Sequence, residues 1–141
     1  MTDTTLRKSV FIKAARDKVW PYLVDKAKLG EWYHPAEADL AAGQSYVLLG
    51  KDGNGQPEKQ VWGDVLELVA GRKLKTTFCI GPFGDRSTVV TWVLEEVAGG
   101  TMIYLTHEGI PEAAGEHAMH LISALDKGWD IHLGHLRETG A

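Results

Sequence analysis

Apolar and polar residues alternate from the start of the chain. Leu6, Lys8, Val10, Ile12 and Ala14 interleave with Arg7, Ser9, Phe11 and Lys13, a period of two that predicts a first strand of about eight residues. Over residues 16–23 the spacing becomes helical, with Val19, Trp20 and Leu23 on one side. The first turn of a short helix tolerates Pro21. Residues 25–33 predict a second short helix, with Leu29 and Trp32 three apart, weakened by Gly30 and ended by Pro35. Two short helices after one strand would close one end of a sheet.

From residue 38 the pattern is that of strands. Residues 44–49 place Tyr46 and Leu48 on one side, and a polar, glycine-rich tip over 50–55 leads to a returning strand over 58–69. No Gly-Lys-Ser/Thr follows that tip and no parallel βαβ unit surrounds it, so it is not a phosphate-binding loop. Over 73–80, Leu74, Thr76, Phe78 and Ile80 share a face, and residues 81–85 predict a loop with an isolated aromatic, Phe83. The clearest strand spans 87–96, with Val90, Trp92 and Leu94 facing one way. After a turn at 98–100, residues 101–107 put Ile103, Leu105 and His107 on one face.

Residues 111–137 carry the longest pattern. Ala118, Leu121, Ile122, Leu125, Trp129, Leu133 and Leu136 recur at three- and four-residue steps, which is one stripe of a helix. Acids at Glu112 and Glu116 and Arg137 at the far end suit the helix dipole. The order is a strand, two short helices, about six antiparallel strands joined by tight turns, and a long terminal helix. Hairpins without alternating helices predict an α+β fold with an antiparallel sheet, and the one-sided helix needs a broad partner such as that sheet.

Composition narrows the function classes. A chain of 141 residues, 44% hydrophobic and 24% charged, matches one ordinary globular domain over residues 1–141. Fifteen Lys and Arg against 19 Asp and Glu give a formal net charge of -4, without the clustered basic face that nucleic acid requires. Cys79 is the single cysteine, so no internal disulfide forms, and within a strand it reads as a small buried hydrophobe. Met1–Lys8 is polar and has no apolar core of a secretory signal, and no apolar run reaches the roughly 20 residues that cross a bilayer. A cytoplasmic protein is the expectation.

Four segments, in this order, resemble one family. They are VFIKAARDKVWPYLVDKAKLGEW from residue 10, GDVLEL followed by KLKTTF, STVVTWVLEEVAGGTMIYLTHEG, and the terminal KGWDIHLGHL. Together they span residues from about 6 to 137 and make the chain similar to a bacterial member of the AHSA1-like branch (activator of Hsp90 ATPase homologue) of the START/Bet v 1-like superfamily, also called SRPBCC. The resemblance implies a helix-grip fold, a curved antiparallel sheet wrapped around the C-terminal helix. In that superfamily a cavity between sheet and helix often receives an apolar or aromatic small molecule, and the same scaffold also serves cyclases and a chaperone activator. Activators of the Hsp90 ATPase generally use an additional N-terminal domain. About five residues precede the first strand here, which weighs against that role.

Sheet positions of one parity should line such a cavity: Tyr46, Leu48, Phe78, Val90, Trp92, Leu94, Leu105 and His107. Leu121, Leu125, Trp129 and His132 would come from the helix, and Trp32, Tyr33 and His34 would stand near an opening. Several aromatics with a few polar tips suit a planar or lipid-like ligand. The residues expected to contact it are Trp32, Tyr46, Phe78, Trp92, His107, Leu121, Leu125, Trp129 and His132, with no cofactor. His132 falls inside the apolar stripe, where an imidazole is either a hydrogen-bonded core residue or a group that binds a ligand oxygen or exchanges a proton. His117-x-x-His120 and His132-x-x-His135 have metal-like spacing, but no Cys or carboxylate completes a first shell, so no metal is expected. No Gly-x-Ser-x-Gly elbow is present and Cys79 has no evident base, so no catalytic residue is assigned. A cyclase or isomerase using His107 or His132, and a protein-interaction module, are the alternative readings. A homodimer through an edge strand or an exposed apolar patch also fits the pattern.

Overall fold

A computed structural model describes residues 4–141. Residues 1–3, the start of the polar segment read above as lacking a secretory signal, lie outside the described residues. The strand β1 (Leu6–Ile12) leads into three short helices, α1 (Arg16–Val19), α2 (Pro21–Val24) and α3 (Lys26–Trp32). Then come β2 (Ser45–Lys51), β3 (Pro57–Val69), β4 (Lys73–Phe78), β5 (Thr88–Val97), β6 (Gly100–Glu108), α4 (Ile110–Ala114) and α5 (Ala118–Thr139). The strands form one antiparallel sheet in the order β1-β6-β5-β4-β3-β2, six in all with five after the short helices. The long helix lies against one face of this open, curved sheet, the helix-grip arrangement of an α+β fold.

Two helices break where the periodicity alone predicts continuity. Residues 16–23 split at Pro21, which starts α2 at its first position because it has no N–H to continue the ladder of α1. The segment 111–137 breaks at Gly115, whose φ of 58° lies in the left-handed region, and a single 3-10 turn (Gly115–His117) joins α4 to α5. The start of α3 is fixed by Asp25, whose carboxylate accepts from Ala27 N and Lys28 N, both at 3.0 Å. At its other end α3 closes on Tyr33, whose backbone N–H donates to the Leu29 carbonyl.

The inward parity of the strands supplies the core. Val90, Trp92 and Leu94 of β5, Ile103, Leu105 and His107 of β6, and Leu74, Thr76 and Phe78 of β4 are buried. They meet Leu121, Trp129, Leu133 and Leu136 of α5. Lys8, on the inward side of β1, reaches across to Asp126 and Asp130 one turn apart on α5 and ties the edge strand to the helix. Burial lowers its pKa, but hydrogen bonds to the two carboxylates outweigh this and leave it raised. Phe83 is not an isolated loop aromatic; it closes a 3-10 turn (Gly81–Phe83) and is buried in the core. Cys79 is only half-buried and pairs its backbone with Trp62; burial raises its pKa, which disfavours the thiolate. Among the described residues, no helix is long and apolar enough to cross a membrane.

Candidate functional site

The end of α3 meets α5 over the mouth of the sheet, and the meeting is aromatic. Tyr33 leaves α3 with φ −136° and ψ −109°, and its ring lies 5.3 Å from Trp32, 5.6 Å from Trp129, and 4.5 Å from both His34 and His132 between centroids. Trp92 stands edge-on to Trp32 at 5.8 Å and to Trp129 at 5.6 Å. Such edge and tilted contacts add roughly 0.5–1.5 kcal/mol per pair beyond area burial.

Two voids lie on either side of this cluster. The inner one, about 40 Å³, is surrounded by Trp32, Tyr46, Leu48, Leu74, Val90 and Trp92, with Leu23, Leu29, Leu40 and Thr76 completing its wall. Its size admits one or a few waters, far less than the roughly 300–1,000 Å³ of a drug-sized ligand site. The outer one, about 170 Å³, is bounded by His34, Gln60, Ile80, Leu125, Gly128 and His132. Tyr33, Val61, Phe78 and Trp129 line both voids and form the partition between them. Gly128 contributes by what it lacks, since a Cβ there would meet no atom within 4 Å. A wider depression of about 760 Å³, which includes Lys75, Ser87, Glu108 and Glu112, carries none of these aromatics.

His107 is built differently from the other candidate histidines. The indole of Trp129 can only donate, so its Nε1–H donates to His107 Nδ1 at 3.0 Å. His107 Nε2 therefore bears the proton and donates to Thr88 Oγ1 at 2.7 Å, and the Thr88 hydroxyl donates onward to the Phe78 carbonyl at 2.8 Å. With both nitrogens paired, the imidazole is neutral, and burial lowers its pKa to about 4. It lines neither void and orients Trp129, the wall of both. Leu94, Leu105 and Leu121, also expected at a cavity, are core residues that line neither void.

Trp32, expected near an opening, is buried at the inner void, with its Nε1–H donating to the Tyr22 carbonyl at 2.8 Å. Tyr33 and His34 stand nearer the surface. Tyr46 donates from its hydroxyl to the Thr77 carbonyl at 2.6 Å, and burial raises its pKa. His132 keeps a spare nitrogen: Nδ1 is buried and finds no hydrogen-bond partner among the described residues. Burial, then the neighbouring His34, lowers the His132 pKa against an opposing hydrogen bond that the imidazole donates to the Trp32 backbone carbonyl. The pKa of His34 is lowered by burial too. Among the described residues no group of three or more His, Cys, Asp or Glu could hold a metal ion. Gln60, Val61 and Thr88 were not picked out by the sequence, and Ile80 was read only as sharing a strand face with Phe78. Thr88 shares the inward parity of Val90 and Trp92, which is the signal that would have found it.

Comparison with known proteins agrees with this fold. The family model described as "Activator of Hsp90 ATPase homolog 1-like protein" matches residues 13–141. Comparison with curated proteins gives no significant match. Among solved structures, protein MLL2253 from Mesorhizobium loti superposes with a TM-score of 0.78 at 19% identity, covering 96% of this chain and 95% of that one. Protein CV1439 from Chromobacterium violaceum gives 0.73 at 24% identity over 96% and 95%. DynU16, from the dynemicin biosynthetic locus, gives 0.77 at 21% identity over 97% of this chain, which spans 47% of that protein. At these identities the structures establish the shared fold, and the family match over nearly the whole length establishes membership. The chain belongs to the AHSA1 family, the activator of Hsp90 ATPase homolog 1-like proteins of the START/Bet v 1-like (SRPBCC) superfamily.

Proposed function

We propose that this protein binds an apolar or aromatic small molecule between α5 and the sheet, entering beside Tyr33, His34 and His132. The observation that carries this reading is the outer void of about 170 Å³, walled by aromatic rings and edged by a few neutral polar groups. Apolar walls with a small number of placed polar atoms are what a small-molecule site requires. The origin of DynU16, which shares the fold, in a biosynthetic locus lends support. A ligand larger than the outer void would enter by displacing the Tyr33 ring, which joins the two voids.

The test is tryptophan fluorescence during titration with a panel of aromatic, flavonoid-like and fatty-acid compounds, on the wild type and on Gly128→Leu. Trp129 lines both voids, so a bound molecule perturbs its emission. Saturable quenching by one chemical class, abolished by a leucine that fills the outer void, is the expected result. No response from any class would overturn the reading. A second reading, a cyclase- or isomerase-like enzyme, draws on one observation: His132 retains an unpaired nitrogen beside the outer void, whereas His107 has none. It predicts turnover that His132→Phe removes and His107→Gln does not remove selectively.

A further inference from the structure

The chemistry of the outer void narrows what it can hold, given the binding reading above on which this step rests. No Lys, Arg, Asp or Glu lines either void; the polar groups of the outer one are Tyr33, His34, Gln60 and His132. Both histidines have their pKa lowered first by burial, so they are neutral at physiological pH. A carboxylate or phosphate entering here would lose its hydration and meet no compensating cation, which is a large cost in a low-dielectric site. Fatty acids and phosphorylated ligands are therefore disfavoured, although the fold and its apolar walls alone would admit them.

Size and shape add a second restriction. An apolar cavity of roughly 150 Å³ accepts a single benzene-sized molecule, and the outer void measures about 170 Å³. Tyr33, Phe78 and Trp129 present ring faces and edges to it, which favours a flat guest over a branched one.

The polar end of the guest is set by His132. Its Nδ1 is the buried side-chain atom left without a partner among the described residues, in a ring packed 4.5 Å from Tyr33 and 5.8 Å from His34. A neutral imidazole nitrogen without a proton accepts, so the guest must donate. A hydroxyl both donates to that nitrogen and accepts from the Gln60 amide or an imidazole N–H. Nδ1 is itself out of water's reach, so pairing involves a turn of the imidazole toward the void. We infer that the outer void takes an uncharged, single-ring phenol-type molecule, its ring against Tyr33, Phe78 and Trp129 and its hydroxyl paired with His132.

Three single-ring probes separate the parts of this inference: 4-methylphenol, p-xylene of the same size with a methyl in the hydroxyl's place, and the slightly larger 4-methylbenzoate with a charge. Each is titrated at neutral pH against the wild type, His132→Phe and Gly128→Leu, and read by tryptophan fluorescence, with thermal unfolding confirming that each variant is folded. The expected result is saturable binding of 4-methylphenol, at least tenfold tighter than 4-methylbenzoate, and loss of that binding in Gly128→Leu. His132→Phe should lower the ratio of 4-methylphenol to p-xylene affinity about tenfold, a ratio in which ring burial cancels. An unchanged ratio would overturn the role of His132, and benzoate binding as tightly as the phenol would overturn the neutral-ligand assignment. In both cases binding that Gly128→Leu still abolishes leaves the binding reading standing. Binding of larger panel compounds with none of the three single rings would overturn the inference alone. Silence from every compound would overturn both.

Discussion

Replacing Thr88 with valine removes one hydroxyl and leaves the shape of the side chain nearly unchanged, so no cavity opens. The substitution acts on the buried relay that holds Trp129. Thr88 is 1% exposed and His107 0%, so water does not reach either group to compensate. Two hydrogen bonds disappear, from His107 Nε2–H to Thr88 and from Thr88 to the Phe78 carbonyl. Each is worth about 1 kcal/mol net, and stranding the imidazole N–H adds about 1–3 kcal/mol. The extra methyl of valine offsets up to about 0.8 kcal/mol. The expected loss is therefore about 2–5 kcal/mol, or on the order of 10 °C in melting temperature for a chain of this size. Urea titration followed by tryptophan fluorescence and circular dichroism measures it. Thr91→Val serves as the control, because Thr91 sits on the opposite parity of the same strand and should change stability by less than about 0.5 kcal/mol. A Thr88→Val loss no larger than that of the control would show that the His107 proton is not directed at Thr88, and the tautomer argument would fail with it.

Other predictions follow from the same geometry. The folded state holds His107 neutral down to about pH 4, whereas the unfolded chain takes up that proton near the ordinary 6.5. The stabilisation is thus complete above pH 6.5 and declines as pH falls through that window, by roughly 3 kcal/mol in total. His107→Gln should be less stable at pH 7 but lose less between pH 7 and 4; an equal acid slope in urea melts at each pH would refute this. Gly128→Ala should raise stability by about 0.5–1 kcal/mol, since it gains helix propensity and its Cβ meets open space; a measured loss would show that the space is not there. Gly63→Ala should cost at least 1–3 kcal/mol because its Cβ would fall on the Thr77 carbonyl and hydroxyl, and a melt unchanged from wild type would contradict that packing. Lys8→Met should cost about 1 kcal/mol or less, because Asp126 and Asp130 are 49% and 62% exposed and regain water; a loss of several kcal/mol would mean that the carboxylates are effectively buried.

The alternation of apolar positions was enough to place the strands and, for β2, β4, β5 and β6, the inward side, because a strand's two faces differ by a single residue step and burial selects one. The stripe on α5 was legible for the same reason at helical period, and the ordered motifs pointed to the helix-grip arrangement. What pattern could not show was continuity and contact. A glycine or proline inside a helical pattern is tolerated or disruptive depending on what packs around it, so the breaks at Pro21 and Gly115 emerged only in three dimensions. His107 was legible as an inward residue, but its pairing with Thr88 and Trp129 depends on strand register and the rotation of α5. Gly128 faces a void only because Tyr33 comes from another element to wall off its far side. The volumes of the two voids are small differences between large, close-packed side chains contributed by distant segments. One-dimensional order fixes the identity of those side chains and leaves their separation to the tertiary structure.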